Sequence, residues 1–297
     1  MDAVGIIGIA VIIGAFVYAF LRRAPLSLSI AIAILIIYAL LATTSRTWGA
    51  VSGSTGYWDL ALVHNRSWRP EEASEFFTSM FVHGNLLHLG FNMAALIFIG
   101  AALEDRIGRA PFAFIFILGG LAGTLTFYLL HYGDLFVLIG ASGAIMAELG
   151  AYARLYPQDR VTLFIPFLPL PALPVIWVAI GFLILSSFMV YTVPFIAHEA
   201  HIGGLIAGLF IAPLAMRLPS SKKMKERTVN TEVLVPLATT AELRDVLEKI
   251  KVENVVDVRQ AWVERFVQRA KCPRCGSSLR LYRGRVSSDC GWKVILR

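Results

Sequence analysis

Charged residues are scarce in this sequence. Only 16% of its 297 residues are Asp, Glu, Lys or Arg, whereas 57% are hydrophobic and the mean hydropathy is +0.68. Such a composition excludes a single soluble globular domain. The lipid bilayer must therefore be the main solvent of the chain.

Several motifs are also absent. No His-Glu-x-x-His sequence occurs, which argues against a metalloprotease of that type, and no internal repeat or pair of broken helices suggests a transporter. The first apolar segment has no basic residue before it and no Ala-x-Ala site after it. We therefore expect it to remain as a membrane span rather than to be cleaved as a signal peptide.

Hydrophobic runs predict seven membrane spans and an all-α polytopic fold. Because about 20 apolar residues cross the hydrocarbon core, the fifth run, at about 14 residues, is short. It follows Gly140-Ala141-Ser142-Gly143, which reads as a loop sunk into the protein, and such a loop needs protein or a water-filled cavity to satisfy its polar groups. The seven spans are residues 4–21, 27–42, 86–103, 112–130, 142–155, 174–193 and 200–218.

Lys and Arg residues follow alternate spans, and this pattern predicts the orientation. Arg22 and Arg23, Arg106 and Arg109, Arg154 and Arg160, and Arg217 should face the cytoplasm. The N-terminus, the long loop of residues 43–85 and the start of the fifth span should then face outward, and we expect the chain in the plasma membrane. Aromatic rings in the long loop favour the interface with the headgroups: Trp48, Tyr57, Trp58 and Trp68.

The last 79 residues read as a soluble, basic tail. Residues 219–297 contain 17 Lys or Arg and 9 Asp or Glu, a net charge of +8, which leaves 10 against 11, or −1, for the rest. Next to a bilayer, such a tail favours contact with anionic lipid over a nucleic-acid site.

Ser142 and His201 are the candidate nucleophile and base. Ser142 lies where the fifth span begins, so free backbone N–H groups and the positive helix end would face an oxyanion. Small residues predict that this span packs closely on the last one, which brings Ser142 and His201 to the same end of two helices. These small residues are Gly140, Gly143, Ala147, Gly204 and Gly208.

Other polar residues near these spans leave more than one reading open. His88 and Asn92 lie one helical turn apart and could donate to an oxyanion, or Asn92 could bond a backbone carbonyl. His83 fits a structural role better than substrate contact. His198 and Glu199 beside His201 suggest a metal site, but no further ligand cluster accompanies them.

Three motifs together resemble the rhomboid intramembrane serine proteases: His88-x-x-x-Asn92, Gly140-x-Ser142-Gly143 and Ala200-His201-x-x-Gly204. The resemblance covers residues 27–218 as a six-helix core, with residues 1–26 as an extra leading helix. It implies that Ser142 and His201 form a catalytic dyad without a carboxylate. It also implies that His88, Asn92 and the backbone N–H of Ser142 stabilise the tetrahedral intermediate, and that no cofactor takes part.

The implied substrates are transmembrane helices of other membrane proteins, cut near their outer ends. Some features depart from the family pattern. A Trp-Arg pair often stands directly before the stretch matching Phe76-Phe77-Thr78-Ser79, whereas Trp68-Arg69 lies further back, and Met146 replaces a tyrosine that often supports the histidine. Glu148 fits the cytoplasmic half of its helix better than a third catalytic role. The alternative is a non-catalytic rhomboid-like protein that binds membrane helices.

The sequence of the tail predicts a helical segment, residues 219–270, followed by a zinc-ribbon-like module, residues 271–297. Apolar residues between 240 and 270 indicate one or two amphipathic helices. Cys272, Cys275 and Cys290 are tentative Zn²⁺ ligands. Ser287 stands where a fourth cysteine would be, so the fourth ligand would be Asp289 or water, or the position would stay empty. A cytoplasmic tail disfavours disulfides. Alternatively, the module folds without metal by packing Trp292, Val294 and Tyr282.

Overall fold

A computed structural model gives the fold of the chain as two compact units, Met1–Ser221 and Lys222–Arg297. It describes residues 1–45, 51–162, 164–165, 168–169, 171–189, 196–218, 230–253, 256–282 and 285–296. Predictions for Arg46, Trp48, the end of the sixth span and the basic residues between 219 and 229 lie outside these ranges.

The first unit is helical. A π-helical turn, Leu96–Gly100, joins α5 to α6, so these two helices form one continuous span, Leu86–Ile107. The helices are α1 Ala3–Arg22, α2 Leu26–Thr44, α3 Thr55–Leu60, α4 Glu72–Thr78, α5 Leu86–Ala95, α6 Ala101–Ile107, α7 Arg109–Leu130, α8 Ser142–Leu155, α9 Val175–Met189 and α10 His198–Ala215.

Short antiparallel strand pairs connect these helices. β1 Leu62–Asn65 in the long loop pairs with β2 Leu135–Leu138, which leads into α8. The other pairs are β3 Arg160–Val161 with β6 Leu173–Pro174, and β4 Phe164–Ile165 with β5 Leu168–Pro169. The long loop thus contains α3, β1 and α4.

The prediction of an all-α polytopic membrane protein is confirmed, since a helix occurs at each of the seven predicted spans. Among the described residues, five helices are long and apolar enough to cross a bilayer: Ala3–Arg22, Leu26–Thr44, Leu86–Ile107, Arg109–Leu130 and His198–Ala215. They expose large apolar side chains such as Ile13, Leu35 and Phe210, which need an apolar solvent.

The short helix α8 lies inside the bundle. Its residues from Ala144 to Ala153 are all buried, and it packs on both α7 and α10. Glycines permit this: a Cβ on Gly119 or Gly120 of α7 would overlap a neighbouring side chain, and the one on Gly120 would lie 2.9 Å from the Cβ of Ala144. A helix enclosed by protein need not span the hydrocarbon, so 14 residues suffice.

Arg69 anchors the long loop. Its guanidinium bonds the Glu72 carboxylate at 3.3 Å, the Glu75 carboxylate at 3.3 Å and the backbone oxygen of Val63. The neighbouring Trp68 packs against the rings of Phe76 and Tyr128. Although displaced from the usual position, the Trp-Arg pair therefore contacts the elements around it.

His64 extends this network. One ring nitrogen lies 3.1 Å from a Glu72 oxygen, and the other lies 2.7 Å from the backbone oxygen of Tyr132. Both His64 and Glu72 are fully buried. The contact therefore joins the long loop to the segment that follows α7.

Glu104 of α6 caps the start of α2. Its buried carboxylate accepts from the backbone N–H of Leu26 at 2.7 Å, and from the N–H and hydroxyl of Ser27 at 2.8 and 2.7 Å. The residue before α2 is Pro25, whose side chain has no atom that could accept a hydrogen bond from the helix. A carboxylate at a helix N-terminus also interacts favourably with the helix dipole.

The second unit combines helices with a small sheet. It contains a 3₁₀ segment, Thr231–Leu237, α11 Ala241–Val252, α12 Val256–Arg269, and the antiparallel strands β7 Arg280–Tyr282, β8 Arg285–Ser287 and β9 Lys293–Ile295. Two helices thus lie where the sequence predicts amphipathic ones. Ile250, Phe266 and Val286 belong to one hydrophobic core, with Trp292 and Val294 packed against it. Helices and sheet therefore share a core.

We expect Glu104→Ala to lower the free energy of unfolding by about 3 kcal/mol, because it leaves three buried donors without an acceptor. The shift in the unfolding midpoint during denaturation from mild detergent measures this. Glu71→Ala, which removes an exposed carboxyl group, is the control. Equal midpoints for the two variants would contradict the capping role.

Candidate active site

Ser142 and His201 lie within hydrogen-bonding distance. Ser142 is the first residue of α8, His201 lies in the first turn of α10, and the Ser142 Oγ and His201 Nε2 atoms are 2.7 Å apart. Both residues are half-buried. An imidazole nitrogen at this distance can accept the hydroxyl proton, which is what activates a serine as a nucleophile.

Close packing of α8 and α10 produces this distance. A Cβ on Gly204 would overlap the carbonyl oxygen of Gly143, and a Cβ on Gly208 would overlap that of Ala147. The two backbones are therefore in direct contact where the sequence places small residues on both helices. Only glycine at positions 204 and 208 permits this approach.

Gly140 shapes the turn before the nucleophile. Its φ is +111°, a conformation that residues with a side chain rarely adopt, and a Cβ here would lie 2.6 Å from Nε2 of His88. Its backbone N–H donates to the carbonyl of Ser79 at 2.9 Å, which ties the turn to the long loop. Conformation and crowding therefore both require glycine at this position.

His201 has aromatic neighbours but, among the residues that the structure describes, no carboxylate partner. The ring of Phe182 on α9 lies 6.4 Å from its ring in an edge-on arrangement, and the ring of His198 lies 5.9 Å away. Among the described residues, no group hydrogen-bonds to its Nδ1 atom. Met146, which replaces the tyrosine common in the family, is buried in α8. The aromatic ring of a phenylalanine beside His201 is instead that of Phe182 on α9.

His88 and Asn92 stand beside the turn that carries Ser142. The His88 ring reaches Gly140, whereas the Asn92 amide donates to the backbone oxygen of His88 at 2.9 Å. Asn92 therefore bonds a backbone carbonyl, as one of the two interpretations of the sequence expects. The amide carries a second hydrogen, which could donate to an oxyanion. His83 is fully buried, and its ring centre lies 4.8 Å from that of His88, which favours a packing role.

The nearby carboxylates lie apart from the Ser142–His201 pair. Glu148 is fully buried, about 9 Å further along α8 than Ser142 at 1.5 Å per residue, and its Oε2 lies 2.7 Å from where a Cβ of Gly100 would be. A carboxylate oxygen of Glu199 lies 3.5 Å from Nε2 of His131. Within the described ranges, the one group of three or more metal-type ligands is in the tail.

The N-terminus of α8 offers donors for an oxyanion. The first backbone N–H groups of a helix have no intrahelical acceptor, and here they belong to Ser142, Gly143 and Ala144. They lie next to the hydroxyl that would attack a carbonyl, where negative charge would develop on the carbonyl oxygen. Nucleophile, base and oxyanion donors can thus serve one reaction.

Comparison with known proteins identifies the family. A family model described as the Rhomboid domain matches residues 70–218, half of the chain. The chain belongs to the rhomboid family. In this rhomboid, the match includes Ser142, His201, His88 and Asn92, and it begins inside the long loop.

Named relatives of this rhomboid include both a protease and an inactive protein. Rhomboid protease GluP of Bacillus subtilis (strain 168) is 30% identical over 161 residues, 54% of this chain and 29% of the relative. Rhomboid protein 1, mitochondrial, of Saccharomyces cerevisiae is 31% identical, over 44% of this chain and 38% of the relative. Inactive RHOMBOID-like protein 8 of Arabidopsis thaliana is 27% identical, over 57% and 45%. The chain spans less than half the length of each of these three proteins.

Sequence reasoning missed two contacts in the site. Phe182 lies in an apolar run with no feature that marks it as a neighbour of His201, and the Ser79 carbonyl that holds Gly140 is a backbone group. Neither contact has a residue-type signal, because each depends on how separate segments pack.

We expect Gly208→Val to destabilise this rhomboid by about 3 kcal/mol, because the added side chain would meet the Ala147 carbonyl. A thermal melt in detergent should show a lower midpoint. Gly14→Val is the matched control, since among the described residues a Cβ at Gly14 would meet no atom within 4 Å beyond its own helix backbone. An unchanged midpoint for Gly208→Val would mean that α8 and α10 are not in backbone contact.

Proposed function

We propose that this protein is an intramembrane serine endopeptidase whose nucleophile is Ser142 and whose base is His201. The 2.7 Å separation of Ser142 Oγ and His201 Nε2 is the observation that carries the proposal. The relative named as a rhomboid protease supports it at the level of the family.

In the proposed reaction, Ser142 Oγ attacks the carbonyl carbon of a peptide bond while His201 Nε2 takes the hydroxyl proton. The carbonyl oxygen becomes an oxyanion, held by the Ser142 backbone N–H and by the side chains of His88 and Asn92. Collapse of the intermediate breaks the C–N bond, and His201 returns the proton to the leaving amine. Water then hydrolyses the acyl-enzyme, with His201 again acting as the base.

The proposed substrates are transmembrane helices of other membrane proteins. The Lys and Arg pattern supports an outward-facing start of α8, an external N-terminus and a cytoplasmic tail in the plasma membrane. Cleavage would then occur near the outer end of a substrate helix. A helical peptide bond is shielded by its own hydrogen bonds, so helix-breaking residues near the cut should favour it.

The reaction as proposed has no step for a metal ion or an organic cofactor. Proton transfer and oxyanion stabilisation are both supplied by the chain. We therefore assign the candidate Zn²⁺ ligands Cys272, Cys275 and Cys290 to the tail and to a role other than peptide-bond cleavage.

The rival proposal is a protein that binds membrane helices without cutting them. A relative named as inactive makes this a real alternative within the family. The retained Ser142 and His201 pair favours the protease, because a protein that only binds would have no use for a hydrogen-bonded nucleophile and base.

The decisive experiment is cleavage of a purified single-span substrate in liposomes by the native chain, Ser142→Ala and His201→Ala. We expect each variant to lose at least about 10³-fold in kcat, because both groups act in the same step. Ser187→Ala, which removes an exposed hydroxyl from α9, should cleave at the native rate. Equal cleavage by Ser142→Ala would exclude the assignment, whereas substrate capture without cleavage by all forms would favour the binding protein.

The oxyanion assignment is tested separately with His88→Ala and Asn92→Ala. We expect kcat to fall about 10²-fold in each, with KM nearly unchanged, because the lost donor acts mainly in the transition state. Gly90→Ala is a control on the same helix, since among the described residues a Cβ there would meet no atom within 4 Å beyond its own helix backbone. An effect on KM alone would assign these residues to substrate binding.

A further inference from the structure

The three cysteines of the tail come together at one point of its fold. Their sulfur atoms all lie within 4.8 Å of one another, although Cys290 is 18 residues from Cys272. They are the only cysteines in the chain. Cys272 is buried in the core shared by the helices and the sheet, whereas Cys275 and Cys290 are exposed.

The spacing of the sulfurs fits a metal ion better than a disulfide. Cys272 Sγ and Cys290 Sγ are 3.7 Å apart. Tetrahedral Zn²⁺ with thiolate bonds of about 2.3 Å separates its sulfur ligands by about 3.8 Å, whereas a disulfide bond is about 2.05 Å long. The observed distance corresponds to two corners of a zinc tetrahedron.

The backbone around the cysteines forms two similar turns. Gly276 follows Cys275 with φ +72°, and Gly291 follows Cys290 with φ +82°. Each glycine N–H closes its turn, onto the carbonyl of Cys272 at 2.9 Å and onto that of Ser288 at 3.1 Å. Among the described residues other than the chain neighbours, no atom lies within 4 Å of a Cβ at either glycine, so the left-handed backbone and not crowding accounts for them.

A serine hydroxyl lies beside two of the thiols. Ser288 Oγ is 3.1 Å from both Cys272 Sγ and Cys290 Sγ, so it borders two of the three thiols. Asp289, the carboxylate considered from the sequence, points to Arg280 at 3.3 Å and does not belong to the cluster.

We propose that Cys272, Cys275 and Cys290 bind one Zn²⁺ ion as thiolates, with an oxygen ligand on the Ser288 side as the fourth. The ion links the end of α12 to the turn between β8 and β9, and so holds the sheet against the helices. Thiolate ligands of this number select a soft, tetrahedral metal ion over Mg²⁺ or Ca²⁺.

The test uses the full-length protein in detergent and reads metal directly, so it does not depend on proteolysis. We expect about one Zn²⁺ per purified chain by elemental analysis, and Co²⁺ exchanged into the site should give thiolate charge-transfer and tetrahedral absorption bands. Metal-free protein that takes up neither ion, or a Cys272–Cys290 disulfide in the purified protein, would overturn the proposal.

Matched variants assign the ligands. Cys275→Ser and Cys290→Ser, both at exposed positions where the core should not be disturbed, are expected to weaken Co²⁺ binding at least 100-fold. Ser288→Cys should strengthen binding at least tenfold and raise the charge-transfer intensity, because it adds a fourth thiolate. Asp289→Asn should leave affinity and spectrum unchanged. Unaltered binding by Cys290→Ser, or a loss of binding in Asp289→Asn, would contradict the ligand set.

Discussion

Direct contact between the backbones of α8 and α10 is the constraint on which the candidate site depends. Ser142 and His201 lie 59 residues apart in the chain and on different helices, so a very close helix crossing is needed to bring Oγ to 2.7 Å from Nε2. Gly204 against Gly143, and Gly208 against Ala147, provide that crossing. In a bilayer, association of helices relies on such packing because burial of apolar surface gives little driving force.

Enclosure of α8 by its neighbours has a second effect. It removes the helix from lipid, and therefore a short helix with an irregular turn in front of it can exist within the bundle. The positive φ of Gly140 and the hydrogen bond from its N–H to Ser79 satisfy and orient that turn. A lipid-facing helix with the same start would leave backbone groups without partners.

The spans and the pairing of Ser142 with His201 could be predicted because both leave a signal in residue type. Long apolar runs mark the helices, and glycine and alanine at four-residue spacing mark the faces that meet. The π-helical turn at Leu96–Gly100, the Glu104 cap on α2 and the packing of Phe182 on His201 could not be predicted. These features arise from contacts between distant segments, and the same residue types occur elsewhere without such roles. In the tail, the sequence pointed to Ser287 and Asp289 beside the cysteines, whereas folding brings the Ser288 hydroxyl to the sulfurs.

The pairing of β1 with β2 ties the long loop to the segment that leads into the nucleophile. β2 ends four residues before Ser142, and its register is fixed against β1, with Leu62 opposite Leu138 and Asn65 opposite Leu135. A slip of one residue between two strands is a movement of about 3.3 Å and turns each side chain to the opposite face. Such a movement would exceed the length of the hydrogen bond between Ser142 and His201. The register of β1 against β2 therefore restricts where α8 begins relative to the long loop.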